Sequence, residues 1–200
     1  YLKKLDVDLV LVVAYGQIIP EKFFNISKKG FINIHASLLP KYRGAAPIQR
    51  AIMNQEKETG ISIMKINSKL DEGPICNTYK VRIEEKDNTE ILSNKLSLLA
   101  AQNILDDIDN ILDGNASFKD QDHSEATYAK KIEKKESLID WNTSAKKILA
   151  NINGLNGAHF LFNGARYKIL EAELSTSIGK PGEVIGENLK IACQDQSIQV

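Results

Sequence analysis

Asn33 and His35 stand two residues apart in Phe31-Ile32-Asn33-Ile34-His35, a run that reads as a β-strand. That spacing turns both side chains to one face of the strand. The run passes directly into Ser37-Leu38-Leu39-Pro40, a proline-punctuated loop. The pair therefore sits at the carboxyl end of its strand, where open α/β sheets bind ligands. Asp71 follows in Leu70-Asp71-Glu72-Gly73-Pro74, a turn at the end of the next predicted strand. An amide, an imidazole and a carboxylate at one sheet edge suit attack of an amine on a formyl group. The carbonyl oxygen gains negative charge as the new bond forms, and Asn33 with protonated His35 can supply donors to it. The amine must lose a proton, which Asp71 can take directly or through water. Because the attacking atom belongs to the substrate, no nucleophilic serine or cysteine is required. Each residue alone is commonplace, and spacing alone gives only an α/β domain with a polar strand end. His123 and His159 lie in a polar stretch and a β-rich segment, and read as non-catalytic.

The elements that position these residues follow from periodicity. Residues 7–13 form a nearly continuous apolar run, as in a strand buried on both faces of a parallel sheet. Between it and the Asn33 strand lie Pro20 and a helix-compatible stretch over 21–29, so a βαβ unit is expected. A helix is predicted from about Ala45 with Pro47 in its first turn. Strands are predicted over 60–66 and 75–83, the latter antiparallel or at an edge. A long helix capped by Thr89 and stopped at Gly114 carries the stripe Leu92, Leu96, Leu99, Ile104, Ile108 and Ile111. Residues 115–132 are polar and irregular and read as a linker. Beyond them come a helix over 139–152, a hairpin at Asn163-Gly164, and short strands over 182–185, 189–193 and 197–200. The predicted fold is α/β. A Rossmann-like, mostly parallel sheet with flanking helices (1–114) precedes a small OB-like β-barrel domain (133–200).

With 26 basic and 26 acidic residues the 200-residue chain is formally neutral, which gives no electrostatic pointer to nucleic acid. Cys76 and Cys193 are far apart, no Cys/His spacing suggests a metal, and two free thiols in a reducing cytoplasm are expected. No apolar run approaches the ~18 residues of a membrane helix, and no signal peptide is visible. The start without methionine and the end within a strand-like stretch read as those of a fragment.

Ile32-Asn33-Ile34-His35-Ala36-Ser37-Leu38-Leu39-Pro40 resembles the signature of the folate-dependent formyltransferases, and Leu70-Asp71-Glu72-Gly73 resembles their second motif. Within that superfamily, residues 43–52 (RGAAPIQRAI), 127–132 (TYAKKI), 139–141 (IDW) and 181–184 (PGEV) are similar to the branch acting on methionyl-tRNA. The resemblance covers essentially the whole chain, but lacks the family's opening strands and the end of its barrel. It implies formyl transfer from 10-formyltetrahydrofolate to the α-amino group of methionyl initiator tRNA, by a cytoplasmic monomer without a metal. It further implies Asn33, His35 and Asp71 as the catalytic trio, and Ser37, Leu38, Leu39, Pro40, Tyr15, Gly16 and Ile18 as the folate-binding set. The tRNA contacts it suggests are Lys41, Arg43, Lys130 and Lys131, beside a cluster of Lys134, Lys135, Lys146 and Lys147. Interleaved Glu133 and Glu136 give that cluster an alternative reading as a solvated face. Other acceptors remain open, namely an amino-sugar nucleotide or water, as does a folate- or tRNA-binding module without turnover.

Overall fold

The computed structural model describes residues 4–200, and the chain divides into two compact units. The first takes in residues up to 47, 58–82 and 93–131; the second takes in 48–57, 83–92 and 132–200. Residues 115–131, whose composition suggested a linker, group with the first unit.

The first unit is built on a four-stranded sheet. Strands β1 (Val10–Val13) and β2 (Phe31–His35) are parallel, with Val12 opposite Asn33. Their crossover holds a 3-10 turn at Glu21–Ile26, after Pro20, rather than an α-helix. A two-residue β3 (Arg43–Gly44) follows. Strand β4 (Glu58–Lys65) lies antiparallel to β2 and places Ser62 opposite His35. Strand β5 (Ile75–Arg82) lies antiparallel to β4, giving the order β1-β2-β4-β5. The sheet is thus mixed: its parallel part is the β1/β2 pair, where a mostly parallel sheet was expected. Strand β4 runs against both neighbours and is buried on both faces through Ile61, Ser62, Ile63 and Met64, which makes it the sheet's central stave.

Three α-helices occur among the described residues. Pro47 opens α1 (Pro47–Met53) at the position where its missing N–H costs nothing. In α2 (Thr89–Asp113) the cap is Asn88, whose Oδ1 accepts from the Ile91 N–H; Thr89 spends its hydroxyl on the Gly154 carbonyl instead. Asp107 of α2 is buried and accepts from the Asn77 amide and the Tyr79 hydroxyl of β5, fastening helix to strand. Burial and that carboxylate push the Tyr79 phenol up to about 12.

A two-residue β6 (Tyr128–Ala129) pairs with β3 in the first unit. The second unit contains α3 (Ala145–Gly154), capped by Ser144. This helix starts later than 139 because Asp140 Oδ1 captures the Asn142 N–H and closes a turn. Asn163 and Gly164, both at positive φ, join β7 (Ala158–Phe162) to β8 (Ala165–Ile169) as the Asn-Gly signal predicts. Strands β9 (Glu173–Ser175), β10 (Val184–Gly186), β11 (Lys190–Ala192) and β12 (Ser197–Gln199) form an antiparallel sheet in the order β10-β11-β12-β9. Ala145, Ile148 and Ile152 of α3 share a core with Ile169, Ile191, Cys193 and Ile198. The two antiparallel sheets make a small barrel-like domain.

Candidate active site

Strand β2 delivers Asn33 and His35 to one face by simple alternation. The His35 ring is almost wholly buried, and its Nε2 lies 2.9 Å from the Tyr42 carbonyl oxygen. A carbonyl only accepts, so Nε2 carries the hydrogen. The other ring nitrogen, Nδ1, faces Asp71 Oδ2 at 3.7 Å. That is too long for a direct hydrogen bond but within ion-pair distance, so the two groups face one another without being bonded. Asp71 Oδ2 accepts the Gly44 N–H at 2.8 Å, a charge-assisted bond. Its Oδ1 takes no hydrogen bond among the described residues. Asp71 stands at φ 51°, a left-handed conformation held by its surroundings.

Those surroundings come from residues distant in sequence. Tyr42 is also at positive φ, and its N–H donates to Thr127 Oγ1 at 2.9 Å. The Arg43 N–H donates to the Thr127 carbonyl, and the Ala45 and Ala46 N–H groups both reach the Ala129 carbonyl. Gly44 must be glycine here: its φ is 117°, and an added Cβ would lie 2.9 Å from the Ala129 oxygen. Gln121 accepts from Arg43 Nε and Nη2 at 3.0 and 2.7 Å, and its Nε2 donates to the carbonyls of Asp71 and Gly73, both at 2.8 Å. Ser62 donates to the Ser37 carbonyl and accepts the Leu39 N–H, which fixes the loop after β2. Ser62 and Gln121 carried no local sequence signal, because their partners lie far along the chain, and Thr127 entered only as the first residue of the TYAKKI resemblance.

The structure sorts the remaining expected residues. Ser37 and Leu39 turn inward, with the Ser37 hydroxyl given to the Lys41 carbonyl, whereas Leu38 and Pro40 stay partly exposed. Tyr15, Gly16 and Ile18 lie on an exposed segment, Ile18 at 87% exposure. Lys41, Lys130 and Lys131 are exposed. Arg43 is not. Its guanidinium is 1% exposed and engaged by Gln121, by Glu72 at 3.3 Å and by His123 Nδ1 at 3.1 Å. The expected contact of Arg43 with tRNA gives way to an internal role. Lys147 is likewise tied inward, donating to the Met53 carbonyl, and burial lowers its pKa. Among the described residues no cluster of His, Cys, Asp and Glu is placed to hold a metal ion, and no helix is long and apolar enough to cross a membrane.

Comparison with known proteins adds sequence likeness to this geometry. The formyl transferase family profile matches residues 1–108, and a formyl transferase C-terminal domain profile matches residues 131–200. A methionyl-tRNA formyltransferase of Pelagibacter ubique is 58% identical over 98% of this chain and 64% of its own length. The Dictyoglomus turgidum methionyl-tRNA formyltransferase is 45% identical over 94% of this chain and 62% of its own length. The chain thus spans less than two thirds of these relatives. Among solved structures, the sugar 3N-formyl transferase WlaRD superposes with a TM-score of 0.78 at 21% identity, covering 99% of this chain and 74% of that one. Aquifex aeolicus HypX, in complex with tetrahydrofolic acid, gives a TM-score of 0.76 at 20% identity, covering 96% of this chain and 34% of that one. At these identities the two structures speak to fold alone.

Proposed function

The chain belongs to the formyl transferase family, and we propose that its protein transfers a formyl group from 10-formyltetrahydrofolate to the α-amino group of methionyl initiator tRNA. The observation that carries the chemistry is the approach of Asp71 Oδ2 to His35 Nδ1 at 3.7 Å, on the face that also presents Asn33. The acceptor is supported by the 58% identity to a relative named for methionyl-tRNA.

His35 acts through Nδ1, because Nε2 is committed to the Tyr42 carbonyl. As the imidazolium it donates from Nδ1 to the formyl oxygen, and the Asn33 amide donates to the same oxygen as negative charge builds there. The amine nitrogen bonds to the formyl carbon and gives up a proton to Asp71, whose Oδ1 is open while Oδ2 is held by Gly44. The bond between that carbon and N10 of the folate then breaks, and N10 takes up a proton. Leu38, Pro40, Tyr15, Gly16 and Ile18 are assigned to the folate. Ser37 and Leu39 act on it by shaping the loop. Lys41, Lys130 and Lys131 are assigned to tRNA phosphates.

The test offers the full-length protein 10-formyltetrahydrofolate with charged initiator tRNA, with an amino-sugar nucleotide, or with no acceptor. Formyl-methionyl-tRNA is the expected product. Formylation of the sugar nucleotide alone, or equal folate turnover with and without tRNA, would refute the assignment.

A further inference from the structure

We propose that Gln121 is a positioning residue for formyl transfer: its amide sets the Asp71 turn so that the carboxylate faces Nδ1 of His35. This inference rests on the reading of Asp71 as the proton acceptor. Gln121 is 6% exposed and makes four hydrogen bonds, two accepted from Arg43 and two donated to the Asp71 and Gly73 carbonyls. Both ends of the amide are occupied, and the partners on each side fix which end is oxygen, since a guanidinium only donates and carbonyls only accept.

The contacts form a closed ring. Gln121 holds the main chain of Asp71, and the Asp71 carboxylate accepts the Gly44 N–H. Gly44 follows Arg43 in the chain, and the Arg43 guanidinium returns to Gln121. Glu72 ties the same turn to Arg43 and Lys69, and the Lys65 N–H holds the Pro74 carbonyl. Among the described residues, however, Gln121 alone bonds the main-chain carbonyl of the left-handed Asp71, and the turn cannot retreat toward β4. A Cβ on Gly73 would sit 1.8 Å from the Lys65 carbonyl oxygen, which shows how closely the turn already abuts that strand. Removing the amide leaves two carbonyls and a buried guanidinium without that partner. The turn then rearranges, and the carboxylate leaves its station opposite His35. His35 makes no hydrogen bond to a member of this ring: its Nε2 is anchored on the Tyr42 carbonyl, and Thr127 holds the N–H of that residue.

A double-mutant cycle in the full-length protein tests the idea with Gln121→Met, Asp71→Asn and the pair combined, using charged initiator tRNA and 10-formyltetrahydrofolate. Gln121→Met alone is expected to lower kcat by about 30-fold with KM values within about 3-fold of wild type; in the Asp71→Asn background it should cost less than about 3-fold. Near-wild-type kcat in Gln121→Met overturns the inference, as does an equal loss in both backgrounds, which marks a merely structural role. Should Gln121→Met fail to fold, the isosteric Gln121→Glu carries the same cycle. It keeps an acceptor for Arg43 while setting a carboxylate oxygen against two carbonyls, and wild-type turnover in it overturns the inference equally. Wild-type turnover in Asp71→Asn would instead sink the assignment of Asp71, a separately visible result.

Discussion

Replacing Glu136 with Gln should destabilise the protein by about 2 kcal/mol at neutral pH and by almost nothing near pH 2. Arg50 grips Glu136 in a two-pronged bond, Nη1 to Oε2 at 2.5 Å and Nη2 to Oε1 at 2.9 Å. The Glu133 N–H adds a third donor to Oε1 at 2.8 Å. The Arg50 hydrogen bonds, then that backbone donor, hold the Glu136 carboxyl at about 2 against an ordinary 4.5. At about 1.4 kcal/mol per tenfold change in ionisation, that difference corresponds to about 3 kcal/mol favouring the ionised form in the folded state. The Glu136 side chain is 24% exposed, so solvent screening brings the expectation to about 2 kcal/mol.

The sign follows from linkage. A carboxyl depressed on folding stabilises the folded state above its unfolded value, and the benefit drains away as pH falls from about 4.5 toward about 2. Glutamine keeps the shape without the charge and cannot titrate. Urea unfolding of both proteins at pH 7, 5, 3 and 2 reads the gap directly. Trp141, the single tryptophan, packs on Phe160 in the same unit and supplies the fluorescence signal. A gap that stays constant from pH 7 to pH 2, or no gap at pH 7, would refute the reasoning.

Gly73→Ala should cost more than about 2 kcal/mol of stability, because its Cβ would lie 1.8 Å from the Lys65 carbonyl oxygen; wild-type stability in a urea titration would contradict the close approach. Replacing Lys130 and Lys131 together with Ala should weaken tRNA binding and lower the slope of log affinity against log salt by about 1 to 2, and an unchanged slope in filter binding removes both from the interface. Burial raises both thiols, Cys76 and Cys193, to about 11. Iodoacetamide at pH 8 should therefore label the native protein far more slowly than the unfolded one, and equal rates would show the thiols to be open.

Asn33 and His35 were legible because strand alternation is local: two residues decide which side chains share a face. The Asn163-Gly164 hairpin and the start of α1 at Pro47 were legible for the same reason, since turn and cap chemistry sit within a few residues of their effect. Arg43 was misread because charge is ordinarily a surface property, and nothing beside it discloses that Gln121, 78 residues on, supplies a buried acceptor. The polar stretch after α2 suggested a linker by composition. Its backbone instead pairs with residues 40–46, and β-pairing across about 85 residues leaves no periodic mark when each strand is two residues long. Antiparallel pairing of β4 was equally hidden, because a strand buried on both faces looks alike in either direction.

The segment from Gln121 to Ala129 bears on both members of the His35–Asp71 pair by separate hydrogen bonds. Thr127 Oγ1 fixes the Tyr42 N–H, and the carbonyl of that same residue takes the His35 hydrogen; Gln121 fixes the Asp71 turn. An imidazole from a strand end and a carboxylate from a turn have no direct bond to set their separation, so the spacing of 3.7 Å must come from what each is tied to. Two residues six apart on one short stretch provide a common reference for both. The imidazole and the carboxylate are thereby held facing one another by contacts behind them, with no hydrogen bond between the two.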